Sequence, residues 1–290
     1  MLQIDRKRVE KVFSDYVENY NSRDDKVRLK IEHTFRVAAL CERIAKSIDC
    51  SAGETDLAWL TGILHDVGRF EQLRNFGTFH DAQSIDHAAY GADILFKEGK
   101  IGDYIGDNIG DMGNRRETEI YPYASICPHV KYTDENIREL IENVVRYHSA
   151  YRLPDEFDDT TRKFCNILRD ADKVDILKVN VDFPLEEIYN VTTDELRNSE
   201  VSEAVMESLK EEHATLRSLK RTAVDNVAGH ISLVFELVYP ESLRMVEEQG
   251  YLEKLLSFES RNEKTREQFG EIRRMMEGYF GKINRKISVL

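Results

Sequence analysis

"GILHDVGRF" (residues 62–70) is the stretch on which the reading of this chain turns. Gly62, Ile63 and Leu64 continue an apolar run begun at Leu57-Ala58-Trp59-Leu60, which predicts a buried helix. Yet the run ends in His65-Asp66, with Arg69 and Glu71 just beyond. Taking an imidazole and a carboxylate out of water together is costly unless each finds a partner. That partner is another side chain or a metal ion.

Working outward, helical signals recur on both sides. Upstream, Ile31, Phe35, Ala38, Cys41, Ala45 and Ile48 return at three- and four-residue steps, the pattern of an amphipathic helix. Ser51 with Glu54 forms a capping box that opens a helix over about 52–67, and Gly68 is expected to close it. Ser84 is expected to cap a helix running to Lys97, with Gly99 as its stop. Thr133 or Asp134 opens another, whose apolar face is Ile137, Leu140, Ile141, Val144 and Val145, before Pro154. Residues 160–180 form one more, and 195–285 read as helical throughout, broken near Pro240 and Gly250. Neither an Asn-Gly hairpin nor an alternating β-branched segment occurs. The fold class is all-α, a multi-helix bundle.

Residues 99–131 stand apart. "IGDYIGDNIGD" (101–111) places a glycine at every fourth position, and each costs a helix about 1 kcal/mol relative to alanine. Asp103, Asp107 and Asp111 miss the spacing of a calcium-binding EF-hand loop. A loop or frayed helix is expected, in the role of a lid or binding segment.

The polar residues can be placed on these helices. His33 shares a stripe with Val37, Leu40 and Ile44, and His148 lies on the line 137, 141, 144, 148. His87 stands one turn before Gly91, a position where another element can approach closely. Asp172 and Asp175 share a stripe with Leu168 and Val179, whereas Asp170, beside Lys163, Asn166 and Lys173, is expected to be solvated. Singly, each histidine reads as a hydrogen-bonded core residue. Together, His33, His65, Asp66, His87, His148 and Asp172 would leave six inward polar groups to satisfy. One or two divalent ions satisfy them at once, and imidazole with carboxylate suits Mn, Fe, Co, Ni or Zn better than Mg.

Composition sets the frame. The chain has 290 residues and a net charge of −13, from 41 basic and 54 acidic side chains. Such a field repels long nucleic acid but leaves room for a small phosphorylated substrate where Arg and Lys gather locally. Cys41, Cys50, Cys127 and Cys165 are far apart, with no C-x-x-C pair, which fits a reducing compartment. The start, MLQIDRKRVEKVF, has charges where a signal peptide needs apolar residues, and no apolar run nears the ~20 residues of a membrane span. A cytoplasmic protein without membrane association is expected, a single all-α domain over 1–290. Oligomeric state stays open.

The ordered set His33, His65-Asp66, Asp172 resembles the H…HD…D signature of the HD-domain metal-dependent phosphohydrolases. The surroundings match too: "EHTFRVA" (32–38), "GILHDVGR" (62–69) and "DADKVD" (170–175), with "DHAAYGADIL" (86–95) and "VVRYHSAY" (144–151) similar to further histidine segments of the family. The resemblance covers about residues 30–180, and 181–290 is expected to complete or extend the bundle. It implies that His33, His65, Asp66 and Asp172 hold a first metal, and that His87 and His148 hold a second with Asp66 bridging. His129 is an alternative for that second role. His80-Asp81, a second "HD" in a polar stretch, reads as a decoy.

By the same resemblance a metal-bound hydroxide attacks phosphorus, since a bound divalent ion lowers the pKa of its water toward about 7. Arg69, Arg36 and Lys173 are the candidate partners of substrate phosphates. The Glu-Asp pair of the guanosine-polyphosphate branch is missing after the motif, where this chain has Arg69-Phe70-Glu71-Gln72. The Gly-Tyr-Pro segment of the cyclic-dinucleotide branch is missing as well. The expected function is hydrolysis of a small phosphate ester, a nucleotide first. Its alternatives are a di-iron oxygenase of the same fold and a non-catalytic nucleotide-binding regulator.

Overall fold

Short polar side chains and glycines written into the sequence set several of the helix ends. The computed structural model describes residues 4–106 and 134–287, and among these there is no strand. The readings that fall on 107–133, Asp107, Asp111, Cys127, His129 and Thr133 included, lie outside the described residues. The chain groups into two compact units, Met1–Arg169 and Asp170–Leu290.

The first unit holds α1 (Arg6–Val17), α2 (Asp25–Ser47), α3 (Ala52–Leu64) and α4 (Val67–Phe76). A 3-10 turn, Asp81–Gln83, leads to α5 (His87–Ala92), which a π-helical turn, Asp93–Lys97, extends. Then come α6 (Ile101–Ile105), α7 (Asp134–Tyr147) and the first part of α8 (Asp159–Asp182). Asp5, Asp24 and Asp86 accept backbone N–H groups at the starts of α1, α2 and α5. The capping box of Ser51 and Glu54 opens α3 as expected. Ser84 is not the cap of α5; its hydroxyl donates to the His80 carbonyl instead. The reason is reach, because Asp86 is adjacent to α5 and its carboxylate takes two N–H groups, those of Ala88 and Ala89.

Two backbone contacts bring the helices of this unit together. A Cβ on Gly62 would fall 2.5 Å from the Cα of Ala38, so α3 lies directly on α2. One on Gly68 would fall 2.3 Å from the His87 carbonyl oxygen and 2.7 Å from the amide nitrogen of Gly91. Gly68 therefore does not close a helix. The helix expected over 52–67 ends at Leu64, the chain kinks at Asp66 (φ −107°, ψ 15°), and α4 begins at Val67 with Gly68 inside it. What approaches Gly91 is thus the backbone of α4. Gly99, with φ of +78°, does stop its helix.

The core of α2 also sits differently from the expected stripe. Val27, Thr34, Val37, Ala38, Cys41, Ile44 and Ala45 are buried, while Phe35 is 37% exposed and rests edge-on against Phe13. Cys41 and Cys165 are buried and Cys50 is half-buried.

The second unit contains the rest of α8, α9 (Leu185–Tyr189), α10 (Thr193–Asn198), α11 (Glu203–Lys210), α12 (Val224–Ile231), α13 (Pro240–Gln249), α14 (Tyr251–Leu256) and α15 (Glu263–Ile287). Pro240 opens α13, and Gly250 in the left-handed region separates it from α14, the two breaks read in the sequence, but 195–285 is not otherwise helical throughout, since the chain also leaves α-helix at 199–202, 211–223, 232–239 and 257–262. Asp170 is a correction. It is fully buried, and its Oδ2 accepts the N–H groups of Val238 and Tyr239 and the hydroxyl of Ser242, each within 2.9 Å. Burial pushes its carboxyl above the ordinary range. Taken alone, α8 turns this face to water, but the segment entering α13 covers it. Among the described residues no helix is long and apolar enough to cross a membrane.

Candidate metal centre

Four histidines and one aspartate of the first unit converge. His33 comes from α2, His65-Asp66 from the kink between α3 and α4, His87 from the first position of α5, and His148 from the residue after α7. None is more than 4% exposed. Asp66 stands among them with its two oxygens facing two different pairs. Its Oδ2 is 3.6 Å from His33 Nε2 and 3.5 Å from His65 Nε2. Its Oδ1 is 3.5 Å from His87 Nε2 and 3.8 Å from His148 Nε2. Within the pairs, the Nε2 atoms of His33 and His65 are 3.3 Å apart, and those of His87 and His148 are 3.1 Å apart.

The other ring nitrogens tell where the protons are. His65 Nδ1 lies 2.7 Å from the Gly62 carbonyl, His148 Nδ1 2.7 Å from the Val145 carbonyl, and His87 Nδ1 3.0 Å from both oxygens of Asp81. These partners only accept, so in the neutral rings Nδ1 donates and Nε2 presents a lone pair. Burial, then the charge of Arg69, pushes the His87 imidazole toward its neutral form. Two neutral rings meeting lone pair to lone pair across 3.1 Å repel each other, and a cation between them removes that repulsion. The donor set fits a divalent transition metal. His65, Asp66 and His148 have donor atoms all within 4.8 Å of one another, a group able to hold an ion.

Charge around the centre follows from burial and its offsets. Burial raises the Asp66 carboxyl, but neighbouring charge, that of Lys30 foremost and of Arg69 after it, outweighs it and holds the group well below the usual carboxylate range. Lys30 Nζ is 2.6 Å from Asp66 Oδ2 and only 17% exposed. Sequence reasoning missed it, although three residues before His33 is a same-face position on a helix. Arg69 adjoins the centre, with Nε 3.6 Å from Asp66 Oδ1. Its Nη1 donates to Asp81 Oδ1, Gln72 Oε1 and the Phe79 carbonyl, at 2.6–2.7 Å.

Arg36 on α2 turns toward Glu32 at 3.7 Å. Asp172 and Lys173 lie on α8 in the second unit, both half-buried, with Lys173 Nζ 3.5 Å from the Glu236 carbonyl. His80 is exposed, as a decoy should be, but Asp81 is not remote from the chemistry. The turn Asp81–Gln83 folds onto α4 through Gln72 and lays the carboxylate against His87.

The profile of the HD domain matches residues 31–177, a span that takes in all of these ligand candidates and Asp172. The chain belongs to the HD-domain family. No curated protein and no solved structure matches it. HD-domain proteins are mostly metal-dependent phosphohydrolases and bind divalent metals, in keeping with the His/Asp group of this HD domain.

Proposed function

We propose that this HD-domain protein hydrolyses a phosphate ester of a small molecule, a nucleotide in the first instance, with one or two divalent transition-metal ions. The observation that supports it most is the pair of Nε2-to-Nε2 imidazole contacts flanking a single ionised carboxylate. His33 and His65 are proposed to hold one ion. His87 and His148 are proposed to hold the other, and Asp66 faces both pairs. When bound, such ions polarise a phosphoryl oxygen and make water nucleophilic near neutral pH.

The chain's own residues supply the rest. Asp66 stays ionised because Lys30 and Arg69 lie beside it. The same two cations offset the charges of Asp66 and Asp81, which lessens the repulsion a phosphoryl group would meet in a protein of net charge −13. Arg36 is proposed as an outlying phosphate partner.

Elemental analysis of the purified protein, followed by a screen of nucleotides and other phosphate esters with Mn, Fe, Co, Ni and Zn, tests the reading. Up to two metals per chain and metal-dependent phosphate release are expected. A metal-loaded protein that consumes O₂ and releases no phosphate would overturn it in favour of oxygenase chemistry. Tight nucleotide binding without turnover would overturn it in favour of a regulator.

A further inference from the structure

We infer that Asp81 is a positioning residue for the centre: its carboxylate fixes His87 in the Nδ1–H form and aims the Nε2 lone pair at Asp66 Oδ1. The inference rests on the proposed metal reading. Which ring nitrogen of a histidine carries the proton is set by the hydrogen bond made by the other. His65 and His148 obtain that bond from carbonyls three residues upstream, Gly62 and Val145, which sit in the last turns of α3 and α7 where carbonyls lack helical partners. His87 has no such carbonyl, because it is the first residue of α5. The acceptor must come from outside the helix, and Asp81 supplies it with both oxygens at 3.0 Å.

The carboxylate is itself held in place. Oδ1 accepts from Arg69 Nη1 at 2.7 Å and from Gln72 Nε2 at 3.0 Å. Gln72, fully buried on α4, also donates to Ser84 Oγ and the Ile85 carbonyl, so it clamps both sides of the turn. Arg69 reaches the Phe79 carbonyl with the same nitrogen that holds Asp81. One edge of its guanidinium is therefore committed to the turn, and its charge is what remains for a substrate. A metal-ligating histidine usually donates its other ring N–H to a carboxylate or carbonyl, and loss of that partner typically costs 10–100-fold in metal affinity.

The test uses the full chain and manganese. In metal-free wild type, ¹⁵N NMR of the neutral imidazoles, with His87 assigned by comparison with His87→Gln, is expected to place the His87 proton on Nδ1. In Asp81→Ala the proton should move to Nε2 in part, and the weakest manganese equivalent should lose about 10–100-fold in affinity. Asp81→Asn, which retains one acceptor oxygen, should fall between, and melting curves report whether each variant folds. An Nε2 proton in the wild type, or an Asp81→Ala isotherm identical to wild type, would overturn the inference. No manganese uptake by the wild type itself would sink the metal reading instead, with the His87 tautomer still deciding the contact with Asp81.

Discussion

At Asp66, one carboxylate faces four imidazoles, whereas His80 points into solvent fourteen residues further on (80 − 66). Asp66→Ala is therefore expected to lose bound metal and phosphate release together, while His80→Ala keeps both within about twofold, because exposed side chains away from such features are near neutral. Elemental analysis alongside a phosphate assay checks this, and equal losses would show that the other His-Asp pair is the functional one. The motif pair was legible because an apolar run that ends in two charges is anomalous without a partner. Lys30 was legible in principle, by its helical spacing from His33. Asp81 was not. Six residues separate it from His87, and nothing local says that a turn bound to Gln72 will swing its carboxylate back onto that ring.

Among the elements, the contact between α4 and α5 decides whether His87 can reach the centre. A methyl on Gly68 meets backbone atoms at 2.3 and 2.7 Å, and backbone cannot step aside as a flexible side chain can. Gly68→Ala gains about 1 kcal/mol in helix propensity but should lose more to overpacking, which typically costs about 1–3 kcal/mol. At Gly91 the nearest contact is 3.1 Å, so alanine there should cost less. Thermal melts are expected to rank Gly68→Ala below Gly91→Ala, with weaker metal uptake in the former; the reverse order would refute the account. The capping box at Ser51 was readable because it involves four consecutive residues. Gly68 was misread as a stop for the opposite reason, since its cause is a helix that arrives nineteen residues later (87 − 68). Asp170 failed in the same way, because α8 in isolation does not reveal what covers it.

Over the whole molecule, stability against pH has a readable contributor in the second unit. Burial, aided by the nearby charge of Arg217, pushes the Lys220 amine down to about 8. In the unfolded chain a lysine titrates near 10.4. The unfolded state thus binds more protons between those values, so stability rises with pH across the window and the penalty is complete below it. Lys220→Met keeps the stem that lies against Gly229, where a Cβ would sit 2.4 Å from Lys220 Cε. It should stabilise the protein at pH 7 by up to about 3 kcal/mol, at 1.36 kcal/mol per unit, and the gain should vanish near pH 10.5. Denaturant titrations at the two pH values check it, and a pH-independent difference would refute it. The centre itself has a history in time. Its two histidine pairs are closed by segments of unequal length, 32 residues between His33 and His65 and 61 between His87 and His148. His148 lies 82 residues after Asp66 (148 − 66). At a synthesis rate of about 5–20 residues per second, roughly 4–16 s pass between the making of Asp66 and that of His148. A nascent chain therefore owns the histidines of one pair well before it owns those of the other, and any ion captured in that interval would enter a half-built centre.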